Sequence, residues 1–443
     1  MAASSTEEAS GAVRILVVGG GYVGMYTALR LQRRLRSGEA SVTVVDPQSH
    51  MTYLPFLPEA AAGSIEPRHV VVPLRRVLKR CHVITGRVTR IEHARRAATV
   101  AGHTAELGYD VLVVAPGSVA RTLPIPGLAE HGIAFKTIGE AIYLRNHVMT
   151  KLDEAASTLD PEQRKRLLTF TVVGGGFAGI EALAELEDMT RFAVENYYPN
   201  LKVEDIRWVL VEAAGRILPE VRETLGVYTV EQLEKRGIEV YLSTAAKSFE
   251  NGHVVLSDGT EFDTDTIIWT AGVKANPVLA DSDLPLDKRG RVEATAAMQV
   301  VGHPDVWTAG DNAAVPDLSR TEQDPTATCP PNAQHAVRQA RLLSKNIIKV
   351  IRGGKPKDYY HKNLGAVASL GLHKGVAELF GVKVKGWPAW FLHRTYHVSR
   401  VPTFNRKMRV VLDWTLALFF RREVTSLGSL QHPNDEFRRA AGG

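Results

Sequence analysis

The stretch ILVVGGGYVG, residues 15–24, decides the fold of this 443-residue chain. An apolar run leads into Gly19, Gly21 and Gly24, which have the spacing G-x-G-x-x-G, and a helix is predicted to begin there. The first glycine permits a tight turn, the second lets phosphate groups approach the backbone, and the third lets the helix pack closely on the strand. The amides at the start of the helix then face the phosphates. The stretch predicts a strand–turn–helix unit that binds a dinucleotide.

A carboxylate follows at the distance that such a unit requires. The next apolar strand, SVTVVD, ends in Asp46, 22 residues after Gly24. A side chain there can accept a hydrogen bond from a ribose hydroxyl. The strand, turn, helix and terminal carboxylate together are a much more specific signal than the glycines alone.

The same frame recurs in the middle of the chain, as TVVGGGFAGIE at residues 171–181. It supplies Gly174, Gly176 and Gly179, followed by Glu181, and we assign all four to nucleotide binding. The next strand, IRWVLVE, ends in Glu212, which would accept both ribose hydroxyls and repel a 2′-phosphate. That favours NADH over NADPH. Because Glu212 lies 33 residues after Gly179, farther than usual, a carboxylate capped by its own backbone is the alternative.

Two dinucleotide turns in one chain predict a redox reaction between two cofactors. One site would hold a permanently bound flavin, and the other a nicotinamide that comes and goes. A hydride would pass between them, with the protein supplying position and electrostatics.

Composition limits the other possibilities. A chain of 443 residues exceeds a single hydrophobic core, so more than one domain is expected. Two cysteines, Cys81 and Cys329, exclude a disulfide framework, and the fifteen histidines have no metal-site spacing, so we expect no metal. Residues 1–11 lack the features of a signal peptide and predict a disordered tail on a cytoplasmic chain. No uncharged apolar run is long enough to predict a membrane span.

Three further motifs carry a family resemblance, and each is an apolar strand that ends in a glycine turn. They are YDVLVVAPGS at 109–118 with Ala115 and Gly117, TDTIIWTAGVKANP at 264–277 with Ala271 and Gly272, and DVWTAGDNAA at 305–314 with Gly310 and Asp311. Their order resembles that of flavoproteins with two dinucleotide-binding domains. The resemblance implies an α/β fold with two Rossmann-type domains, tightly bound FAD, and a hydrogen bond from Asp311 to the ribityl chain. We place the FAD domain at 12–140 and 291–358, with the NAD(H) domain inserted at 141–290.

Within those flavoproteins the chain most resembles type II NADH dehydrogenases. That family has an A-Q-x-A-x-Q helix bordering the flavin and the quinone pocket; in PPNAQHAVRQA, residues 330–340, Gln334 fits and Arg338 replaces the second glutamine. The resemblance implies a ping-pong reaction in which NADH is the co-substrate and menaquinone or ubiquinone the acceptor, without proton pumping. Gln334 and Arg338 are four residues apart and would share one helix face toward the acceptor. A surface cation is the alternative for Arg338.

Residues 359–443 predict a quinone-side and membrane-docking region. Residues 363–386 alternate apolar and polar residues around glycines and predict a β-hairpin, in which Lys374 either lies near the flavin or faces solvent. Two helices follow: Trp387, Trp390 and Phe391 lie on the first, and the second, at 406–420, is predicted to group six large side chains, Val410, Val411, Trp414, Leu416, Leu418 and Phe419.

The charge of this region suggests its partner. Residues 361–430 contain eleven Lys or Arg and three acidic residues, whereas the apolar stretch VVLDWTLALFF has only eleven residues and cannot span a bilayer. Such helices predict peripheral docking on an anionic membrane, at its cytoplasmic face. The alternative is packing on the protein's own core or on a second copy in a homodimer. No nucleic-acid-binding module is present.

Two other functions stay open from the sequence. One is a soluble flavin reductase that passes electrons to a ferredoxin or rubredoxin. The other is a non-catalytic NADH-binding redox sensor, because Arg338 alters the acceptor signature. A sulfide:quinone oxidoreductase is disfavoured, since nothing in the sequence pairs Cys81 with Cys329 and both are expected to be inert.

Overall fold

The structure is a computed structural model. It describes residues 11–362, 365–426 and 435–440. The predicted disordered tail lies outside the described residues except for Gly11.

The strands of the described residues follow in chain order. They are β1 (Val13–Val18), β2 (Ala40–Asp46), β3 (His50–Thr52), β4 (Val71–Pro73), β5 (His82–Thr85), β6 (Val88–Glu92), β7 (Ala97–Val100), β8 (Leu107–Gly108), β9 (Val111–Val114), β10 (Ser118–Ala120), β11 (Gly132–Ala134), β12 (Thr169–Val173), β13 (Arg207–Val211), β14 (Glu239–Tyr241), β15 (Ala246–Ser248), β16 (His253–Leu256), β17 (Glu261–Asp263), β18 (Thr266–Trp269), β19 (Val273–Ala275), β20 (Val292–Glu293), β21 (Gln299–Val300), β22 (His303–Thr308), β23 (Ala313–Ala314), β24 (Gly365–Ser369), β25 (Gly375–Leu379) and β26 (Val382–Lys385).

The α-helices are interspersed with these strands. They are α1 (Tyr22–Arg34), α2 (Leu57–Ala61), α3 (Leu74–Val77), α4 (Leu128–His131), α5 (Ile138–Ser157), α6 (Pro161–Leu167), α7 (Phe177–Tyr197), α8 (Glu223–Glu234), α9 (Ala333–Ile351), α10 (Trp387–Arg400), α11 (Phe404–Leu416) and α12 (Asp435–Ala440).

The chain divides into two compact units. Among the described residues, unit 1 comprises 11–52, 71–119 and 273–362, and unit 2 comprises 53–70, 120–272, 365–426 and 435–440. The sequence prediction placed residues 53–70 and 120–140 in the FAD domain and residues 273–290 in the NAD(H) domain. In the structure the first two ranges lie in unit 2 and the third lies in unit 1. Residues 273–290 belong to unit 1 because Leu279 and Leu284 are buried in the same core cluster as Leu16 and Leu112.

Unit 1 is built around a six-stranded sheet in the order β21–β22–β9–β1–β2–β5. All pairs are parallel except β21–β22. The last four residues of β1, Ile15 to Val18, are buried on both faces of the sheet, as a parallel sheet requires. The strand order reverses direction at β1, so the crevice beyond the carboxyl ends of β1 and β9 is the switch point where such sheets bind ligands.

Unit 2 repeats this layout with a five-stranded parallel sheet, β11–β18–β12–β13–β14. Its central strand β12 is fully buried and lies between β18 and β13. The switch point therefore lies beyond the carboxyl ends of β12 and β18. Helix α5 begins with a capping box between Thr137 and Glu140 and packs into the same core.

The C-terminal part of unit 2 contains the predicted hairpin, extended by one strand. Strands β24, β25 and β26 form an antiparallel sheet, and α10 and α11 follow it. The second predicted helix, 406–420, is wrong at both ends, since α11 spans Phe404–Leu416. It begins earlier because the Thr403 hydroxyl accepts a hydrogen bond from the backbone N–H of Arg406 and caps it.

Candidate functional site

The first glycine turn has no room for a side chain. Gly19 has φ +101°, and a Cβ built on it would lie 2.1 Å from the carbonyl oxygen of Ala115, the residue after β9. Helix α1 begins at Tyr22 without a side-chain cap and without an acidic residue in its first turn. The positive end of the α1 dipole is therefore not neutralised by a carboxylate of the helix's own first turn, which favours an anion there.

Asp46 holds this turn from the end of β2. Its carboxylate accepts hydrogen bonds from the backbone N–H groups of Gly20 at 2.6 Å and Gln48 at 2.7 Å. Burial nevertheless raises the pKa of Asp46, because the two backbone donors only partly offset the loss of water. The carboxylate is thus fixed beside the glycine turn, where a ribose is expected.

Asp311 is tied to the loop after β9. The Ser118 hydroxyl donates to Asp311 Oδ2 at 2.6 Å, and the Gly117 N–H donates to Asn312 Oδ1 at 3.1 Å. On the other side, the Gly310 N–H donates to Oε1 of the buried Gln339 at 2.8 Å. These bonds join three sequence motifs of unit 1 at one place.

The sequence motifs did not single out Ser118, Asn312 or Gln339 as site residues. Each lies within or beside a motif that was recognised, but only the fold reveals their mutual bonds. Gln339 is one residue past the position where the A-Q-x-A-x-Q pattern has its second glutamine.

The second glycine turn repeats the first. Gly174 has φ +116°, and a Cβ there would lie 2.7 Å from the Thr270 hydroxyl oxygen and 2.9 Å from the Ala271 nitrogen. Gly272 follows with φ +93°. Helix α7 begins at Phe177, again without a side-chain cap and without an acidic residue in its first turn. Unit 2 therefore has a second glycine turn of the same backbone design.

Glu212 occupies the place that Asp46 has in unit 1. Its carboxylate accepts hydrogen bonds from the Gly175 N–H at 2.5 Å and the Ala214 N–H at 2.7 Å. This is the backbone capping that the sequence offered as an alternative. Asp46 makes the same bonds, so backbone capping does not distinguish the two carboxylates.

Glu181 is buried away from solvent within unit 2. Its Oε1 accepts a hydrogen bond from the Ser369 N–H on β24 at 2.9 Å and lies 3.1 Å from His393 Nε2 on α10. This contact does not have hydrogen-bond geometry, and neither ring nitrogen of His393 has a hydrogen-bond partner among the described residues. Burial raises the pKa of Glu181 to about 8 and lowers the pKa of His393 to about 3.

Three more buried carboxylates lie in unit 2, Glu59, Glu185 and Glu187, and the sequence gave no sign of their burial. Glu59 accepts hydrogen bonds from Arg394 at 2.9 Å and from the Trp414 indole at 2.7 Å. Burial, with the charge of Glu59 as the next cause, raises the pKa of Glu185 to about 7. Helices α10 and α11 are therefore anchored by polar contacts as well as by packing.

The acceptor-side residues of unit 1 lie on α9. Gln334 Oε1 is 2.9 Å from His361 Nε2, and the Gln334 carbonyl oxygen accepts a hydrogen bond from Arg338 at 3.0 Å. Arg338 is half-buried and lines a groove of about 300 Å³ with Arg341, Lys345 and Tyr360. Gln334 is not among the residues lining that groove.

Lys374 lies in the turn between β24 and β25 and is half-buried. Its carbonyl oxygen accepts a hydrogen bond from the Leu370 N–H at 2.9 Å, which closes the turn. Its place near an acceptor stays a prediction.

The two cysteines are free thiols. Cys81 packs behind α1, with Sγ 3.9 Å from the Ala28 carbonyl oxygen, and Cys329 is buried beside Pro316. Burial raises the pKa of Cys81 to about 11 and that of Cys329 to about 12, so both stay protonated at neutral pH.

Helix α11 has an inner and an outer face. Val410 is buried, Trp414 reaches Glu59, and Asp413 Oδ2 lies 2.6 Å from His69 Nδ1. The outer face exposes large apolar side chains. They are Phe404, Met408, Val411, Leu412 and Leu416. The six residues predicted to group together are thus divided between the two faces and the segment after the helix.

Further apolar side chains are exposed elsewhere in the C-terminal part of unit 2. They are Phe380, Val382, Trp387, Phe391, Leu418, Phe419 and Phe420. Scattered exposed apolar residues are normal, but a run of this size is typical of a surface that meets another surface. Among the described residues, no helix is both long and apolar enough to cross a membrane.

Comparison with known proteins decides the family. The pyridine nucleotide-disulphide oxidoreductase family matches residues 13–340. A type II NADH:quinone oxidoreductase of Staphylococcus aureus is 30% identical over 393 residues, which cover 88% of this chain and 95% of that protein. The chain belongs to the type II NADH:quinone oxidoreductases. This confirms the family and the fold class predicted from the sequence.

Other members and structures agree. The Mycobacterium tuberculosis type II NADH:quinone oxidoreductase Ndh is 27% identical over 425 residues, 92% of this chain and 89% of that protein. The structure of NDH2 from Plasmodium falciparum in complex with NADH has a TM-score of 0.86 at 17% identity, covering 93% of this chain and 99% of that one. At that identity the likeness concerns the fold alone.

Proposed function

We propose that this protein oxidises NADH and passes the two electrons through bound FAD to a quinone. The observation that carries the proposal is the pair of glycine turns, each followed by an uncapped helix and faced by a carboxylate, in a chain of this family. A soluble reductase with a protein acceptor, or a redox sensor, is not favoured by that membership.

The unit 1 turn fits FAD. Gly19 packs against the Ala115 carbonyl, whereas a Cβ at Gly21 would meet no described protein atom within 4 Å, so open space for a pyrophosphate lies beside the second glycine at the start of α1. Asp46 would hold the ribose, and Asp311, oriented by Ser118, would accept from the ribityl hydroxyls. When bound, FAD supplies the two-electron chemistry between a hydride donor and a quinone.

The unit 2 turn would hold NADH. The amides of α7 would bind the pyrophosphate, while Glu212 would accept from both ribose hydroxyls and repel a 2′-phosphate. The Gly175 and Ala214 amides keep the Glu212 carboxylate oriented before the cofactor arrives.

Glu181 would hold the proton that the reaction takes from water. Reducing a quinone to a quinol adds two electrons and two protons. A hydride from NADH supplies both electrons and one proton, so one further proton per turnover comes from solvent. With its pKa raised to about 8, Glu181 holds a proton at neutral pH. Gln334, Arg338 and Lys374 remain our candidates for contacting the acceptor, with menaquinone or ubiquinone as the natural one.

A steady-state assay tests the overall activity. We expect the purified protein to oxidise NADH only when a quinone analogue is present, and faster than it oxidises NADPH. Ferredoxin and rubredoxin serve as alternative acceptors in parallel reactions. Faster turnover with either protein than with every quinone would contradict the proposal.

The exposed apolar face of unit 2 would dock on a membrane, at its cytoplasmic side. Phe404, Leu412 and Leu416 project from one side of α11, and Arg409 and Arg421 near them are exposed cations. Apolar side chains with neighbouring cations suit the interface of an anionic bilayer. Asp413, which interrupts the apolar sequence, is engaged by His69 and leaves the outer face apolar.

Vesicle flotation tests this docking. We expect the wild type to float with phosphatidylglycerol vesicles, and Leu412→Glu combined with Leu416→Glu to stay in the soluble fraction. Leu159→Glu is the control, because Leu159 is 95% exposed and lies outside the C-terminal region. If the double variant floated normally but changed from dimer to monomer in sedimentation, this face would instead belong to a homodimer.

A further inference from the structure

Unit 1 has a strongly basic surface where α1 and α9 pack against each other. Neither helix contains an acidic residue. Together they present seven cations. These are Arg30, Arg33 and Arg34 on α1, and Arg338, Arg341, Lys345 and Lys349 on α9. None of the seven forms an ion pair with a side chain in the part of the chain that the structure describes.

The cations lie on one stripe. Arg341, Lys345 and Lys349 follow one another at intervals of four residues, so they stack along one face of α9. Like charges at this spacing destabilise a helix by about 0.2–0.5 kcal/mol per pair. The helix dipole favours Arg33, Arg34 and Lys349 near the ends of their helices, but not Arg341 and Lys345 in mid-helix.

Arg30 shows how crowded the charges are. Its Nε is buried and has no hydrogen-bond partner among the described residues. Burial lowers the pKa of Arg30, and the charges of Arg341, Arg34 and Arg33 lower it further. Positive charge is therefore concentrated around Arg30, and no carboxylate is among the charges that shift its pKa.

The surface carries two shallow grooves that are open to solvent. A groove of about 460 Å³ is lined by Arg34, Lys345, Ile348, Lys349, Arg352 and Gly354. Lys345 also lines the neighbouring groove of Arg338 and Arg341.

Two acidic residues border the grooves and leave most of the charge uncompensated. Glu39 is engaged by Arg352 at 2.6 and 2.8 Å, which removes Arg352 from the free cations. Asp358 lines the smaller groove. Neither is paired with Arg34, Arg341, Lys345 or Lys349 within the described residues.

We propose that this basic groove binds an anion with several phosphate groups in a row, contacted by Arg34, Arg341, Lys345 and Lys349. Guanidinium groups bind phosphate oxygens in pairs, and lysines add point charges. From Arg341 to Lys349 the helix rises about 12 Å, which suits a chain of phosphates better than a single carboxylate. The phosphates belong to a soluble polyphosphate such as a nucleoside triphosphate, or to adjacent lipid headgroups.

Titration of the flavin-loaded, full-length protein tests the proposal without relying on its activity. Tripolyphosphate, followed by calorimetry and thermal unfolding, should bind and raise the melting temperature by several degrees, whereas sulfate at equal ionic strength should not. Lys345→Gln combined with Lys349→Gln should weaken binding about tenfold or more. Lys288→Gln, at an exposed lysine of the same unit, should bind like the wild type.

A stability measurement separates binding from folding. Without any polyanion and at low salt, Lys345→Gln should melt at or above the wild-type temperature, because like-charge repulsion is relieved. If Lys345→Gln lost both stability and binding, Lys345→Arg, which keeps the positive charge, should restore both stability and binding. If Lys345→Arg were stable but did not bind, the proposal would be overturned.

Vesicles distinguish the source of the phosphates. Flotation with phosphatidylglycerol vesicles that weakens in the Lys345 and Lys349 double variant, without tripolyphosphate binding, assigns the groove to lipid headgroups. Tripolyphosphate binding with unchanged flotation assigns it to a soluble polyphosphate. If the double variant matched the wild type in both measurements, the groove would not be a phosphate site.

Discussion

The two glycine turns of this chain have the same backbone design, but the helices that follow them have opposite charge. Helix α1 contains no acidic residue and ends in Arg33 and Arg34. Helix α7 buries Glu181, Glu185 and Glu187 within its first eleven residues. The turn is the part that we propose binds a phosphate, whereas the rest of the helix is free to serve a different purpose in each unit.

In α7 the buried carboxylates contact the C-terminal elements, and we propose that Glu181 also holds a proton for the reaction. Glu181 and Glu185 face β24, α10 and the segment that follows α11, through Ser369, His393 and Arg422. In α1 the part of the helix beyond the turn instead carries cations of the basic surface, and Arg34 lines the groove. A shared motif therefore predicts the ligand class and says little about the neighbouring surfaces.

The largest expected effect separates the two turns directly. Gly19→Ala places a methyl group against the Ala115 carbonyl and requires φ +101°, so the purified protein should lose most of its flavin. Gly174→Ala makes the equivalent clash with Thr270 and should keep its flavin while NADH bleaches it at least tenfold less readily. The flavin-to-protein absorbance ratio and an NADH titration measure both.

A matched control accounts for backbone strain alone. Gly38 has φ +75° but nothing within 4 Å of its Cβ position, so Gly38→Ala should retain both cofactor functions. The assignment of the turns would fail if Gly174→Ala lost flavin as completely as Gly19→Ala while remaining folded.

A smaller effect concerns the choice of nicotinamide. Glu212→Ala removes the carboxylate that repels a 2′-phosphate and bonds the ribose, and a hydrogen bond to a charged group contributes about 1.5–3 kcal/mol. The ratio of kcat/KM for NADH to that for NADPH should fall by about 10- to 100-fold. Glu195→Ala, an exposed glutamate on α7, should leave the ratio unchanged. An unchanged ratio in Glu212→Ala would remove Glu212 from the NADH site.

The buried acid behind the second turn predicts a pH dependence of stability. Glu181 has a folded pKa of about 8, above the ordinary 4.5, so between these values the folded state holds a proton that the unfolded chain releases. The contribution of Glu181 to stability therefore falls as pH rises from 4.5 to 8. Glu181→Gln should be more stable relative to wild type at pH 8.5 than at pH 4, by on the order of 2–4 kcal/mol.

Glu187 supplies the contrast on the same helix. It is equally buried but forms ion pairs with Arg191 and Arg236. Removing one partner of a buried ion pair is strongly destabilising, so Glu187→Gln should lose stability at neutral pH. Urea unfolding at several pH values measures both variants. Parallel pH profiles for Glu181→Gln and wild type would mean that Glu181 titrates normally.

The smallest expected effect is at Ser118. Ser118→Ala removes the hydroxyl that orients Asp311 and should speed flavin release about fivefold, as a bond of about 1 kcal/mol implies. Flavin fluorescence after dilution measures the release. No change at all would indicate that Asp311 is held by other partners.

The sequence predicts the parts of the fold that a short motif controls. Strand, turn and helix are local features, so the sequence alone locates both glycine turns and the sheets around β1 and β12. It also locates the carboxylates at the ends of β2 and β13. The exclusion of side chains at Gly19 and Gly174 also follows from the G-x-G-x-x-G spacing.

What the sequence does not predict depends on contacts between distant residues. Glu181 belongs to the second motif, but its partner Ser369 lies 188 residues later, so its burial and raised pKa cannot be derived from its neighbours. The outer and inner faces of α11 depend on His69 and Glu59, far away in the chain. The basic groove likewise forms only when α1 and α9 pack together.

We propose that the unit 1 turn holds a bound flavin, that the unit 2 turn binds NADH, and that a quinone is the final acceptor. Anaerobic stopped-flow absorbance at the flavin band tests it most directly, by mixing the protein with NADH and then with menaquinone or ubiquinone analogues. We expect rapid bleaching by NADH and recovery on addition of the quinone. Bleaching that no quinone reverses would contradict the proposed acceptor, and a bound flavin that NADH fails to bleach would contradict the account of the two turns.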